Sequence, residues 1–124
     1  IRPVLEYCAV VWHSGLTVTQ SDKIEAIQKR ACRLMLGLGY QNYQNALQTC
    51  NLPMLSERRL SLCRKFAKSM TEPQSCLNEL LPVKREAVHG RSLRNREAFT
   101  ELRCRTERYR NSPIPFMVRL LNVQ

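Results

Sequence analysis

The chain has 124 residues, 44% of them hydrophobic, and its 20 Lys and Arg residues against 10 Asp and Glu give a net charge of +10. This composition suits one small domain with a modest core and argues against a chain that is disordered throughout. The single aspartate, Asp22, argues against a pair of metal ions held by clustered aspartates, and the positive charge favours an anionic partner.

The chain opens with an apolar run between Val4 and Trp12, which predicts a first helix that ends near His13. The run is interrupted by charged residues, is far shorter than the ~20 apolar residues of a membrane span, and lacks the features of a signal peptide. We therefore expect a soluble, intracellular protein. Because the run starts at Ile1, without Met or a capping residue, we also expect a piece of a longer polypeptide.

A second helix is predicted over residues 20–36, since Ser21 or Thr19 can cap its first turn and Gly37 and Gly39 follow its end. Apolar residues at helical spacing predict its buried face: Ile24, Ile27, Ala31, Leu34 and Met35. The opposite face is basic, and its residues are candidates for contact with an anionic partner: Lys23, Lys29, Arg30 and Arg33. Ordinary solvated charge is the alternative for each of them.

Two more helices are predicted next. Asn42 can cap a short helix over residues 43–49, and Ser56 can cap a longer one over residues 56–71, which Pro73 ends. The longer helix has an apolar stripe that predicts its buried face: Leu60, Cys63, Phe66, Ala67 and Met70. Its outer face is predicted to carry a second group of basic candidates: Arg58, Arg59, Arg64, Lys65 and Lys68.

The composition changes after Pro82. Residues 83–112 are polar and arginine-rich and show no helical stripe, and Ser112 and Pro113 then begin a short last helix. The sequence thus predicts an all-α fold, with a small helical bundle over residues 1–82 and a basic, partly irregular tail over residues 83–124. Within the tail, Tyr109 lies among arginines that can grip RNA by charge and stacking, or form a flexible connector: Arg103, Arg105, Arg108 and Arg110.

The six cysteines are spread along the chain without a CxxC pair, which favours reduced thiols over a zinc site. A small cationic secreted protein with disulfides is the alternative. His13 and His89 lie in different segments without a second ligand at metal spacing, so no metal site is predicted.

Four segments together resemble the carboxy-terminal region of reverse transcriptases from non-LTR, LINE-type (jockey- or CR1-like) retrotransposons: IRPVLEYCAVVWHSGLT, DKIEAIQKRACRLMLG, NLPMLSERRL and RTERYRNSPIPFMVRLLN. The resemblance implies the thumb and post-thumb region of an RNA-directed DNA polymerase. The family's tyrosine-x-aspartate-aspartate motif is missing here, so no catalytic residue carries over, and Mg²⁺ belongs to the palm of the parent enzyme. We expect this chain to be inactive alone.

The resemblance further implies that the thumb contacts the RNA/DNA template-primer and the rest of the polypeptide, in the nucleus and cytoplasm. Basic helix faces would neutralise backbone phosphates whatever the base sequence. The alternative within the same polyprotein is a helical docking segment whose charge only keeps its surface soluble.

Overall fold

The computed structural model describes residues 2–85 and 97–123, and the described chain is mostly helical, which confirms the predicted all-α fold. The helices are α1 (Arg2–Glu6), α2 (Ala9–Trp12), α3 (Val18–Leu36), α4 (Tyr43–Thr49), α5 (Leu55–Met70), α6 (Glu107–Arg110) and α7 (Pro113–Asn122). Single 3₁₀ turns lie at His13–Gly15, Gly37–Gly39 and Asn78–Leu80. Residues 86–96, which include His89 and part of the predicted tail, lie outside the described ranges.

The opening apolar run forms two helices where one was predicted. Cys8 has a left-handed backbone conformation (φ 50°, ψ 28°), which ends α1, and α2 starts at the next residue. The indole nitrogen of Trp12 donates a hydrogen bond to the Tyr7 carbonyl oxygen (2.8 Å) across this break. Tyr7, immediately before Cys8, is 76% exposed.

α3 begins earlier than predicted, because Thr17 rather than Thr19 or Ser21 is its cap. The Thr17 hydroxyl accepts from the Gln20 backbone N–H (3.3 Å), and the Gln20 side chain accepts from the Thr17 N–H (3.0 Å). Gly37, at φ 50°, ends the helix as predicted.

The buried side of α3 differs from the predicted one. Gln28 and Cys32 are its fully buried residues, whereas Ile27, Leu34 and Met35 are exposed. The reason is tertiary, since α4 and α5 both pack against α3 on the side that presents Gln28 and Cys32. An apolar stripe shows which side of a helix can be buried. The side that is buried depends on where the neighbouring helices pack.

The core lies around α5, which packs against α2, α3 and α7. Its main cluster joins Cys63, Ala67 and Met70 of α5 to Met117 of α7, all fully buried. Cys63, Ala67 and Met70 were predicted to be buried, as they are. Burial of a methionine side chain stabilises a fold by roughly 1.5–3 kcal/mol. The last helix therefore shares a core with the central one.

Glu25 of α3 determines where α5 begins. Its carboxylate accepts hydrogen bonds from the backbone N–H groups of Leu55 (3.1 Å) and Ser56 (3.3 Å), and from the Tyr43 hydroxyl of α4. These backbone groups have no partner within their own helix, and the positive end of a helix favours a negative charge. The prediction that Ser56 caps this helix is wrong. The cap position falls on Met54, and the capping oxygens come from Glu25 of α3.

Tyr43 and Gln28 complete this junction. Burial, and then the hydrogen bond to Glu25, raise the pKa of Tyr43, so the phenol stays protonated as a donor. The Gln28 side-chain nitrogen donates to the Tyr43 oxygen (3.1 Å) and to the Pro53 carbonyl (3.0 Å). Asn42 caps α4 as predicted, by accepting from the Asn45 N–H (2.7 Å).

Part of the predicted irregular tail is held against the helices. Lys84 and Phe99 form an isolated antiparallel bridge, and the side chain of Asn122 on α7 bonds both the N–H (2.9 Å) and the carbonyl (3.0 Å) of Phe99. Ser112 lies at the cap position of α7 as predicted, but its hydroxyl donates to the Tyr109 carbonyl (2.7 Å) and not to the helix it precedes.

We expect the substitution Glu25→Gln to lower the free energy of unfolding by about 2 kcal/mol, because an amide has one acceptor oxygen where the carboxylate has two and no charge for the start of α5. Urea denaturation measures this change. Glu72→Gln, in the exposed turn after α5, is the control and should change the free energy of unfolding by less than about 0.5 kcal/mol. Equal effects of the two substitutions would contradict the role given to Glu25.

Candidate nucleic-acid interface

α5 presents a basic outer face, as predicted, with one exception. The fully buried residues Leu55, Cys63 and Ala67 recur at helical spacing on one side of α5. The exposed basic residues lie at positions that point away from this stripe: Arg58, Arg64, Lys65 and Lys68.

Arg59 is the exception, and its assignment to the outer face is wrong. Its side chain is 0% exposed, since Arg59 lies four residues after Leu55 and four before Cys63 and so falls within the buried stripe. One guanidinium nitrogen donates to the Ser21 hydroxyl (2.8 Å), and the guanidinium carbon lies 5.9 Å from the centre of the Trp12 ring. This spacing is visible in the sequence, so the burial of Arg59 could have been predicted.

Burial lowers the pKa of Arg59, while the nearby carboxylates of Glu25 and Glu6 act to raise it. The group remains protonated, because the ordinary pKa of arginine is far above neutral pH. Arg59 is therefore a charged interior residue that helps to join α5, α3 and α2, and it is not available to a nucleic acid.

Arg58 is exposed but already has a partner. Its Nε donates to Glu6 of α1 (2.5 Å), and Arg2 lies 3.7 Å from the same carboxylate oxygen. A phosphate would compete with Glu6 for this guanidinium, so Arg58 is a weaker candidate than the other basic residues of α5.

α3 presents its four basic candidates to solvent, at positions turned away from Gln28 and Cys32: Lys23, Lys29, Arg30 and Arg33. The guanidinium carbon of Arg33 lies 5.2 Å from the centre of the Tyr40 ring. No acidic side chain of the described chain forms an ion pair with any of these four residues. Because α3 packs against α5, the two basic faces belong to neighbouring helices.

The tail arginines lie around α6 and are all exposed: Arg103, Arg105, Arg108 and Arg110. Thr106 caps α6 by accepting from the Tyr109 N–H (3.2 Å), and Arg110 pairs with Glu107 (3.5 Å). Tyr109 is half exposed, which leaves part of its ring open to stacking.

A groove of about 230 Å³ lies between this segment and α7, with Arg105, Arg110 and Arg119 among its lining residues. Arg119 was not among the predicted site residues. It is the one charged residue of the apolar α7, and that isolation was the sequence signal that could have marked it. Glu101 and Glu107 also line the groove, so its charge is mixed.

All six cysteines are free thiols in the structure, with Cys32 and Cys63 buried. Burial raises the pKa of both thiols, and a hydrogen bond with Cys50 adds to the effect at Cys32. Within residues 2–85 and 97–123 no three His, Cys, Asp or Glu side chains are grouped so that they could hold a metal ion. A search of the same ranges found no helix with the length and apolar character needed to cross a membrane.

Compared with protein-family models, curated proteins and solved structures, the chain gives no match. The resemblance to LINE-type reverse transcriptases therefore stays a prediction from the four sequence segments.

We expect the substitution Arg59→Ala to lower the free energy of unfolding by about 2–4 kcal/mol, because it leaves a cavity under α5 and removes the partner of the Ser21 hydroxyl. Lys65→Ala on the exposed side of the same helix is the matched control and should cost less than about 0.5 kcal/mol. Chemical denaturation followed by circular dichroism compares them. A large cost for Lys65→Ala and none for Arg59→Ala would reverse the assignment of faces.

Stability should also depend on His13, whose ring lies 5.9 Å from that of Phe116. Burial, and then the charge of Arg59, lower the pKa of His13 below its ordinary value of 6.5. The unfolded chain therefore binds this proton more readily, so the stability gained from neutral His13 is complete above about pH 6.5 and is lost as the pH falls from there toward the pKa of the folded state.

The free energy of unfolding should accordingly fall between about pH 7.5 and 5.5, and fall less in the variant His13→Gln, which has no titrating ring. Denaturation at the two pH values, for both proteins, measures the difference. Identical pH dependence in the two proteins would assign the effect to another group.

Proposed function

We propose that this chain contacts nucleic acid through backbone phosphates, as a non-catalytic segment of an RNA-directed DNA polymerase of the LINE retrotransposon type. Its partners are then the RNA/DNA template-primer and the rest of the polymerase polypeptide, in the nucleus and cytoplasm. Chemistry, including any Mg²⁺, belongs to parts of the parent enzyme other than this chain.

The observation that carries the proposal is the unequal use of charge. Glu25 is directed inward to the start of α5, and Glu6 is paired with Arg58. The lysines and arginines of α3 and α5, apart from Arg58 and Arg59, face solvent without an acidic partner in the described chain. Two neighbouring helices therefore present positive charge that the fold itself does not neutralise.

Such surfaces bind a polyanion by releasing the counterions condensed on it, so binding weakens as salt is added and does not depend on base sequence. A polymerase needs contacts of this kind, since it must hold every sequence that it copies. The role assigned to each residue is phosphate neutralisation: Lys23, Lys29, Arg30, Arg33, Arg64, Lys65 and Lys68, with the exposed tail arginines as a second group.

A docking segment without nucleic-acid contact is the second candidate. It is favoured by apolar side chains on α3 that no helix of the described chain covers, Leu34 (77% exposed) and Met35 (63% exposed) among them. A disulfide-linked secreted protein is the third class, and titration of six free thiols in protein that is unfolded without a reductant would exclude it.

We expect the chain to bind a mixed-sequence RNA/DNA duplex with an affinity that falls steeply with salt. The slope of log affinity against log salt is negative, and the double variant Lys65→Gln/Lys68→Gln should reduce its magnitude by about 1.4–1.8, the sum for two phosphate contacts. Fluorescence anisotropy over a salt series measures the slope. Lys84→Gln is the matched control, because Lys84 is already paired with Glu97 (2.7 Å), and its slope should not change.

Charge reversal at Arg30 and Arg33 tests the α3 face in the same assay. Binding should weaken to the same extent for two duplexes of unrelated sequence, since only phosphates are contacted. Negligible affinity in dilute buffer, or affinity that ignores salt, would contradict the proposed function.

A further inference from the structure

An apolar groove of about 390 Å³ separates α1 from α3. Its lining is mostly hydrophobic and includes Pro3 and Leu5 from α1 and Ala31 and Met35 from α3. We call it the α1–α3 groove. It lies on a different side of α3 from the basic residues, because Ala31 and Met35 follow the buried Gln28 by three and seven positions, whereas Arg30 and Arg33 follow it by two and five.

The apolar surface continues beyond the groove along α3. Ile27 and Leu34 lie at helical spacing next to Ala31 and Met35, and both are exposed. A continuous apolar strip of this kind usually marks a surface that another molecule covers. Its length along the helix axis suits an elongated partner better than a small ligand.

Two residues that line the groove, Gln28 and Arg2, have buried polar atoms without a hydrogen-bond partner in the described chain. Gln28 is 3% exposed, and since its amide nitrogen is committed to Tyr43 and Pro53, its side-chain oxygen is the atom left without a donor. Two guanidinium nitrogens of Arg2 also lack a hydrogen bond, although the side chain is 30% exposed and one of these nitrogens, Nε, forms an ion pair with Glu6 (3.7 Å). Buried groups of this kind are costly unless a partner satisfies them.

These features specify the chemistry of an occupant. Apolar side chains fill the groove, and a carboxylate at its edge pairs with Arg2, whose side chain is 30% exposed. Arg2 favours an acidic flank on the occupant, and the net charge of +10 disfavours a second copy of this chain. Apart from Leu52 in the loop before α5, the lining comes from two helices, which offer side chains and no free backbone edge, so the fitting element is a helix.

We propose that the α1–α3 groove binds an amphipathic helix of a protein partner, with an apolar face and acidic flanks. The site is separate from the proposed phosphate-binding faces, and it does not depend on them. The occupant's apolar face covers Ala31, Met35 and the adjoining strip, and its acidic flank pairs with Arg2.

The test uses the full chain and three labelled synthetic peptides of about 18 residues, long enough to form a helix. One has a leucine face with Glu and Ser flanks, the second has the same residues in a scrambled order, and the third has Lys in place of Glu. Fluorescence anisotropy should show saturable binding of the first peptide, and binding of the other two weaker by about tenfold or more.

Two exposed positions on α3 supply matched variants. Met35→Glu places a charge in the groove and should weaken binding of the first peptide by about tenfold or more, whereas Val18→Glu, outside the groove, should change it by less than about twofold. Circular dichroism confirms that both variants remain helical.

Equal binding of the scrambled peptide, or an unchanged affinity in Met35→Glu, would overturn the proposal. So would reversible dimerisation of the chain in analytical ultracentrifugation that Met35→Glu abolishes, since the occupant would then be a second copy. Lys65→Gln/Lys68→Gln should leave peptide binding intact and Met35→Glu should leave duplex binding intact, so the failure of either proposal can be told from the failure of the other.

Discussion

The carboxylate of Glu25 connects three helices through hydrogen bonds, and the arrangement of the rest depends on it. It takes up two backbone N–H groups at the start of α5 and the hydroxyl of Tyr43 on α4, while its own backbone belongs to α3. With α5 fixed at this end, its buried stripe reaches the core that includes Met117 of α7. Replacing a local cap by a distant carboxylate links the start of one helix to the position of two others.

The internal use of acidic residues also affects the charge of the surface. A chain with twice as many basic as acidic residues becomes more unevenly charged outside when Glu25 and Glu6 are used within the structure. Along α3, Gln28 and Cys32 are buried, Arg30 and Arg33 face solvent, and Ala31 and Met35 line the apolar α1–α3 groove. One helix thus carries a basic surface and an apolar groove at different positions.

The sequence predicted the elements better than their contacts. Helix α4 and its cap Asn42, the end of α3 at Gly37 and the stripe Cys63, Ala67 and Met70 follow from local signals, because capping and helical periodicity act within a few residues. The cap of α5 could not be predicted in this way, since its acceptor lies thirty residues earlier in the chain.

In the candidate site, too, local features could be predicted from the sequence and tertiary contacts could not. Exposure of Lys65 and Lys68 follows from their register on α5, and so does the burial of Arg59, although an arginine at a core position is easily assigned to the surface by its chemistry. The exposed apolar side of α3 could not be foreseen, because the pattern of Ile27, Leu34 and Met35 is also that of a buried face. Only the positions of α4 and α5 distinguish the two cases.

The interior position of Arg59 affects the electrostatic potential around the protein, which a polyanion would meet at a distance. A formal charge of +10 counts this guanidinium, which lies near Glu25 and Glu6, and it counts Arg58, Lys84, Arg85 and Arg110, each within an ion pair. The long-range attraction is therefore concentrated on fewer groups than composition implies, and the electrostatic potential is patchy rather than uniform. A strand approaching in solution would be oriented before contact, as well as attracted.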